Sequence, residues 1–182
     1  MEGNSNFTKD QVLARTRDSL KWIFNDICYA RHAKANIGTM ILSVLALENF
    51  ALRRENAIEK HQAKTEPFES FVKEYLQPIN EKYSRFHKRD PYGDLRSILV
   101  HYYSKVGFEF IDNPIDHLDE RKGYLLLNVK VFSDDVETAI NNYLEDLEES
   151  EENSEVYTKF KEAYETYPLL AEGVKGKPLI QD

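Results

Sequence analysis

Apolar residues recur along most of this chain at helical rather than strand spacing. From Thr8 or Asp10, either of which suits a helix N-cap, Val12, Leu13, Leu20, Ile23, Phe24, Ile27 and Cys28 share one face of a long helix reaching about Arg31. The cationic stretch 31–36 is a turn or a continuation, and the pattern admits both. Met40, Ile41, Val44, Leu45, Leu47 and Leu52 then make a second helix, nearly apolar until Arg53-Arg54-Glu55, which should be the centre of the core. Glu48 lies near that stripe, where a carboxylate must reach solvent or find a partner because unpaired burial is costly. A helix edge meets that need, and Arg96 is a candidate partner. Residues 1–7 read as frayed and 56–66 as an exposed tail or loop. Phe68, Phe71, Val72, Tyr75 and Leu76 mark a short helix stopped by Pro78, since the residue before proline is pushed out of the helical region.

The next helix, 90–106, carries the chemistry. Asp90 is a possible N-cap, Pro91 suits the first helical position, and Leu95, Ile98, Leu99, Tyr102 and Val106 form the stripe to be buried. Arg96 and His101 border the opposite face, with Ser97, Val100 and Ser104 between them. A cation and a titratable ring around small residues leave room for a substrate, or for the same helix of a second subunit. Ordinary solvated side chains on an amphipathic helix would give the same spacing.

After Gly107 the period shortens. Phe108–Ile111 and Tyr124–Val131 read as two strands of an antiparallel hairpin, with the polar segment 112–123, including an exposed His117, as their connection. Ser133 then caps a helix with Asp134 and Asp135 in its first turn and Val136, Ile140, Tyr143, Leu144 and Leu147 inward. Val156, Phe160, Ala163, Tyr164 and Tyr167 mark a last helix, its aromatic stripe serving as core or as a docking surface, before a loose tail over 173–182.

Composition narrows the classes. The chain has 182 residues, 41% hydrophobic and 31% charged, with 7 Gly and 6 Pro, which describes an ordered helical protein with one substantial core. The apolar run 37–52 is broken by Glu48 and Asn49 and is too short to span a bilayer. Met1 to Asn6 carries no basic flank or apolar segment of a secretory signal, and the single cysteine, Cys28, excludes an internal disulfide or a cysteine zinc site, so a cytoplasmic location is expected. Cys28 itself reads as a small buried hydrophobe, and His32 and His61 as surface residues without metal spacing. A net charge of -8 argues against non-specific coating of nucleic acid. The charge is segregated, however: residues 145–152 are strongly acidic, while Lys82, Arg85, His87, Lys88 and Arg89 cluster just before the Arg96/His101 helix. That cluster is a solvated loop or a local anion site.

Two long antiparallel N-terminal helices followed by Leu95-Arg96-Ser97-Ile98-Leu99-Val100-His101 in a later helix resemble the HEPN (higher eukaryotes and prokaryotes nucleotide-binding) superfamily, whose signature is an Arg followed four to six residues later by a His. The likeness spans roughly residues 10–148 and is specific only in combination, through the Asp-Leu-Arg-Ser-x-Leu-Val-His-Tyr context. It implies a mainly α fold, an antiparallel helical bundle over 8–150 with a small β-hairpin insertion at about 107–131; the residue pattern adds a C-terminal helix over 151–172 packed on it or on a partner. It further implies a metal-independent endoribonuclease without cofactors, acting as a homodimer through facing Arg96/His101 helices, in defence or stress response. Arg96 would bind phosphate and stabilise the transition state, and His101 would transfer protons while the RNA 2'-hydroxyl attacks. Ser97, Tyr102, Arg85, Lys88 and Arg89 would add substrate contacts. Ser97 departs from the Asn, Asp or His usual after the motif Arg in active members. The alternative is a non-catalytic helical module that binds nucleic acid, or that binds a protein through its acidic C-terminal region.

Overall fold

The computed structural model describes residues 7–58, 65–88 and 108–167, the side chains of 86–88 excepted. The helix expected over 90–106, with Arg96, Ser97, His101 and Tyr102, lies outside the described residues, as do Arg89, His61 and the tail over 173–182; Lys88 is described by its backbone alone.

The described chain is mainly helical. Helix α1 spans Lys9–His32, and Thr8 is its cap: the threonine side chain accepts from the Gln11 amide while the Gln11 side chain accepts from the Thr8 amide, so two otherwise orphaned donors are satisfied reciprocally. Residues 33–35 turn the chain, with Lys34 in the left-handed region at φ 56° and the Ala35 amide bonded back to the Ala30 carbonyl. The stretch 31–36 is thus a helix end and a turn. Helix α2, Asn36–Arg54, follows and packs against α1.

Helix α2 is the hub, in contact with four other helices. Its buried face runs through Met40, Ser43, Val44, Leu47, Phe50 and Ala51, displaced from the Ile41/Leu45 stripe read from sequence, so Leu45 is 48% exposed and Glu48 lies half-buried on the flank. The small hydroxyl residues explain the displacement. Thr39 and Ser43 can turn inward because each bonds the carbonyl four residues back, Ala35 and Thr39, within the helix.

Helix α3, Thr65–Phe71, continues through a π-helical turn, Val72–Leu76, and a 3-10 helix, Glu81–Lys88, completes this side of the molecule. Three short strands follow: β1 Phe108–Phe110, β2 Glu120–Arg121 and β3 Tyr124–Leu127. The antiparallel hairpin expected from β1 and β3 is not formed. They pair in parallel, Phe108 opposite Leu125 and Phe110 opposite Leu127, and β2 supplies the antiparallel partner of β3. Lys122 (φ 50°) and Gly123 (φ 84°) make the two-residue turn between β2 and β3, both left-handed as such hairpins require, and the stretch 111–123 is long enough for the parallel crossover.

Strand β3 also ends earlier than its apolar run suggests. Asn128 caps helix α4, Val129–Glu149, by accepting from the Val131 amide, so Val129, Lys130 and Val131 are helical. Ser133, read as the cap, sits inside the helix and donates to the Lys130 carbonyl. Helix α5, Glu155–Thr166, begins at its Ser154 cap. Its stripe of Tyr157, Phe160, Ala163 and Tyr164 is buried against the chain's own core, while Tyr167 stays 38% exposed. Buried Arg53 on α2 ties this helix down by donating to the Tyr167 carbonyl at 2.6 Å, the Ala163 carbonyl at 3.4 Å and Asn49 Oδ1 at 2.7 Å. It thereby supplies a donor to the Tyr167 carbonyl at the helix end and a second one to the Ala163 carbonyl, which already accepts from the Tyr167 amide. Burial lowers its guanidinium to about 10, still cationic at neutral pH.

At the centre, the Tyr143 ring is ringed by Phe71, Tyr75, Phe160 and Phe50, with centroids 5.4–6.5 Å apart and mostly edge-to-face. Its hydroxyl is buried and has no hydrogen-bond partner among the described residues. A buried donor left unmatched is a cost carried for no return. Tyr143→Phe is therefore expected to keep the ring contacts and raise stability by about 1 kcal/mol in urea melts, and a loss of that size would show that the hydroxyl has a partner.

Candidate functional site

The π-turn and the 3-10 helix border a shallow, open cleft of about 490 Å³ lined by Lys73, Gln77, Pro78, Glu81, Lys82, Ser84 and Arg85. The 3-10 geometry places side chains three apart over one another, so Lys82 and Arg85 point the same way. They converge on the turn 117–119. Lys82 Nζ lies 2.8 Å from Asp119 Oδ1 and 3.4 Å from the His117 carbonyl; Arg85 donates to the Leu118 carbonyl and, at 3.3 Å, to Asp119. Leu118 takes a left-handed φ of 63° there, held by reciprocal bonding of its amide to Leu126 O and of the Leu126 amide to Asp119 O, both 2.7 Å. The Lys82 hydrogen bond, reinforced by Arg85, holds the Asp119 carboxyl below the usual carboxylate range.

Behind the two cations runs a directional chain of hydrogen bonds. The Asn128 amide donates to His117 Nδ1 at 3.0 Å, which leaves the ring proton on Nε2, 3.3 Å from the Tyr83 oxygen; that hydroxyl in turn donates to Asp135 Oδ2 at 2.8 Å. Tyr83 is fully buried and His117 only 2% exposed. His117 is therefore not the exposed loop residue read from sequence: the fold buries it because Tyr83, 34 positions earlier, offers both ring packing and a hydrogen bond. Burial, with the Lys82 charge adding to it, lowers His117 to about 4. Burial also raises Asp135, assisted by Asp134 and opposed by the Tyr83 bond. The chain pins the 3-10 helix to the start of α4.

Of the residues read from sequence as substrate contacts, Arg85 is described at the cleft wall, half-exposed and engaged with the 117–119 turn. Glu48 lies on α2, and its candidate partner Arg96 is outside the described residues. Cys28 is half-buried rather than buried, with Sγ 3.4 Å from His32 Nδ1. Lys73, Tyr83, Asp119 and Asp135 were not singled out as site residues by the sequence pattern. Only the basic run ending at Arg89 hinted at this region, because the counter-charges come from remote parts of the chain. Among the described residues no group of three or more His, Cys, Asp or Glu is placed to hold a metal ion, and no helix is long and apolar enough to cross a membrane.

Compared with known proteins, the chain matches no family model, and no curated protein and no solved structure matches it.

Proposed function

We propose that this chain is a HEPN-like, metal-independent endoribonuclease in which Arg96 and His101 act on RNA at a site shared by two copies. The observation that carries the reading is the Arg96-x4-His101 spacing within Asp-Leu-Arg-Ser-x-Leu-Val-His-Tyr. The helical frame built on α2 is compatible with it, and the cationic cleft at Lys73, Lys82 and Arg85 lies on the segment that feeds the motif. The chemistry needs little else. RNA brings its own nucleophile, the 2'-hydroxyl; a proton-transferring ring takes its proton and returns one to the leaving 5'-oxygen, while a planar guanidinium holds the phosphorane oxygens. Tyr102 and Ser97 supply contacts beside the motif, with Lys88 and Arg89 carrying the backbone toward it.

Purified protein is expected to fragment a mixed-sequence RNA in the presence of EDTA. RNA that survives at protein excess would contradict the proposal. The second reading, a module that binds nucleic acid or protein without cleaving, is favoured by two observations: Ser97 in place of the usual partner of the motif Arg, and the exposure of Glu145, Glu149, Glu151 and Glu152 around the end of α4.

A further inference from the structure

We propose that the Asp119 carboxylate is a tethered stand-in for a phosphate, occupying the Lys82/Arg85 pair at the wall of the cleft until the phosphodiester backbone of single-stranded RNA displaces it. The inference rests on the reading of the chain as an RNA-acting protein and adds a means by which substrate entry is regulated.

Three features carry it. First, the cleft lining carries three cations, Lys73, Lys82 and Arg85, against one carboxylate, Glu81, so that release of Asp119 from Lys82 and Arg85 leaves a net positive lining in a protein whose net charge is -8. A local excess of this kind on an acidic protein is where a polyanion would settle. Second, Lys82 and Arg85 present their donors to a single oxygen, Asp119 Oδ1, at 2.8 and 3.3 Å. Two cationic donors on one anionic oxygen is also how a phosphate oxygen is held. Third, the contact is accessible to a competitor: the Asp119 side chain is 42% exposed and those of Lys82 and Arg85 about a third, so solvent and ligand reach the pair directly. The turn stays in place when the carboxylate is released. Its Leu118 and Asp119 backbone is held independently by Leu126, and Arg85 also holds the Leu118 carbonyl. The cleft is open and polar, which suits a strand running across it from Lys73 to Arg85 better than an enclosed base.

The test uses the full chain and a labelled 2'-O-methyl RNA, which lacks the nucleophile and cannot be cut, so binding is read apart from cleavage. In fluorescence anisotropy at low salt, Asp119→Asn is expected to bind roughly three- to tenfold tighter than the unaltered protein, and Lys82→Ala/Arg85→Ala about tenfold more weakly. Equal or weaker binding by Asp119→Asn at an unchanged melting temperature overturns the proposal. Should that variant melt early, the unaltered protein decides: the Arg85 Nε–H and Asp119 carboxylate resonances are expected to move together on titration with the oligonucleotide, and stationary signals overturn it. Adenosine monophosphate carries the same phosphate chemistry without a chain and is expected to compete poorly. Competition equal to that of the oligonucleotide would assign the cleft to free nucleotides and overturn the RNA assignment. Tight binding without fragmentation of ordinary RNA would leave this inference standing and remove the nuclease reading.

Discussion

Acidification from pH 6.5 to about 4 is expected to cost the folded protein about 3 kcal/mol through His117. Burial, with the Lys82 ammonium, holds the folded imidazole at about 4, whereas the unfolded chain titrates at the ordinary 6.5. Between those values the unfolded state binds a proton that the folded state refuses, so stability falls as pH falls through the window and the loss is complete below it. Geometry explains the refusal: a proton on Nδ1 would face the Asn128 N–H that now donates to it. Neighbouring carboxyls shape the total. Asp135, raised by burial, takes up its proton earlier than in the unfolded chain and offsets part of the loss, while Asp119, held low by Lys82 and Arg85, adds a loss at still lower pH. The difference between variants isolates the histidine. Urea melts from pH 7.5 downward should show a shallower pH dependence for His117→Gln than for the unaltered protein; parallel curves would mean that His117 titrates freely in the fold.

The larger kinetic effect is expected at the motif. His101→Ala should lower the rate of RNA cleavage by about 10²–10⁴-fold, the range typical for loss of a positioned proton-transfer group. Arg96→Ala should cost about 10²–10³-fold, as removal of a transition-state donor does elsewhere. Arg96→Lys should not restore it, because an ammonium cannot reproduce the planar two-point contact. All three should melt at the temperature of the unaltered protein. Cleavage that persists in His101→Ala would point to a contaminating nuclease or to a different catalytic group.

What was legible in the sequence was local. Thr8 was one of the two caps that the pattern offered, and the 3.6-residue period of Val12, Leu20 and Ile27 or of Val136, Ile140, Tyr143 and Leu147 needs no knowledge of the partner element. The errors lie where a distant partner decides. Val129 and Val131 favour a strand by β-branching, yet Asn128 caps a helix whose inward period already starts at Val129 and Phe132. The parallel pairing of β1 with β3 depends on β2, whose two residues are too short to show a period; Lys122-Gly123 was the available turn signal. The candidate site divides in the same way. The cations at Lys82 and Arg85 are visible as a basic run, but the Asp119 contact and the His117–Tyr83–Asp135 chain exist only after remote segments have folded together.

The product ends decide the chemistry at the heart of the proposal. Mass spectrometry of RNA fragments formed in EDTA is expected to show 2',3'-cyclic phosphate and 5'-hydroxyl termini, with no fragments from the 2'-O-methyl version of the same sequence. Fragments bearing 3'-hydroxyl and 5'-phosphate termini, or cutting of the 2'-O-methyl strand, would contradict attack by the 2'-oxygen and with it the assignment of Arg96 and His101.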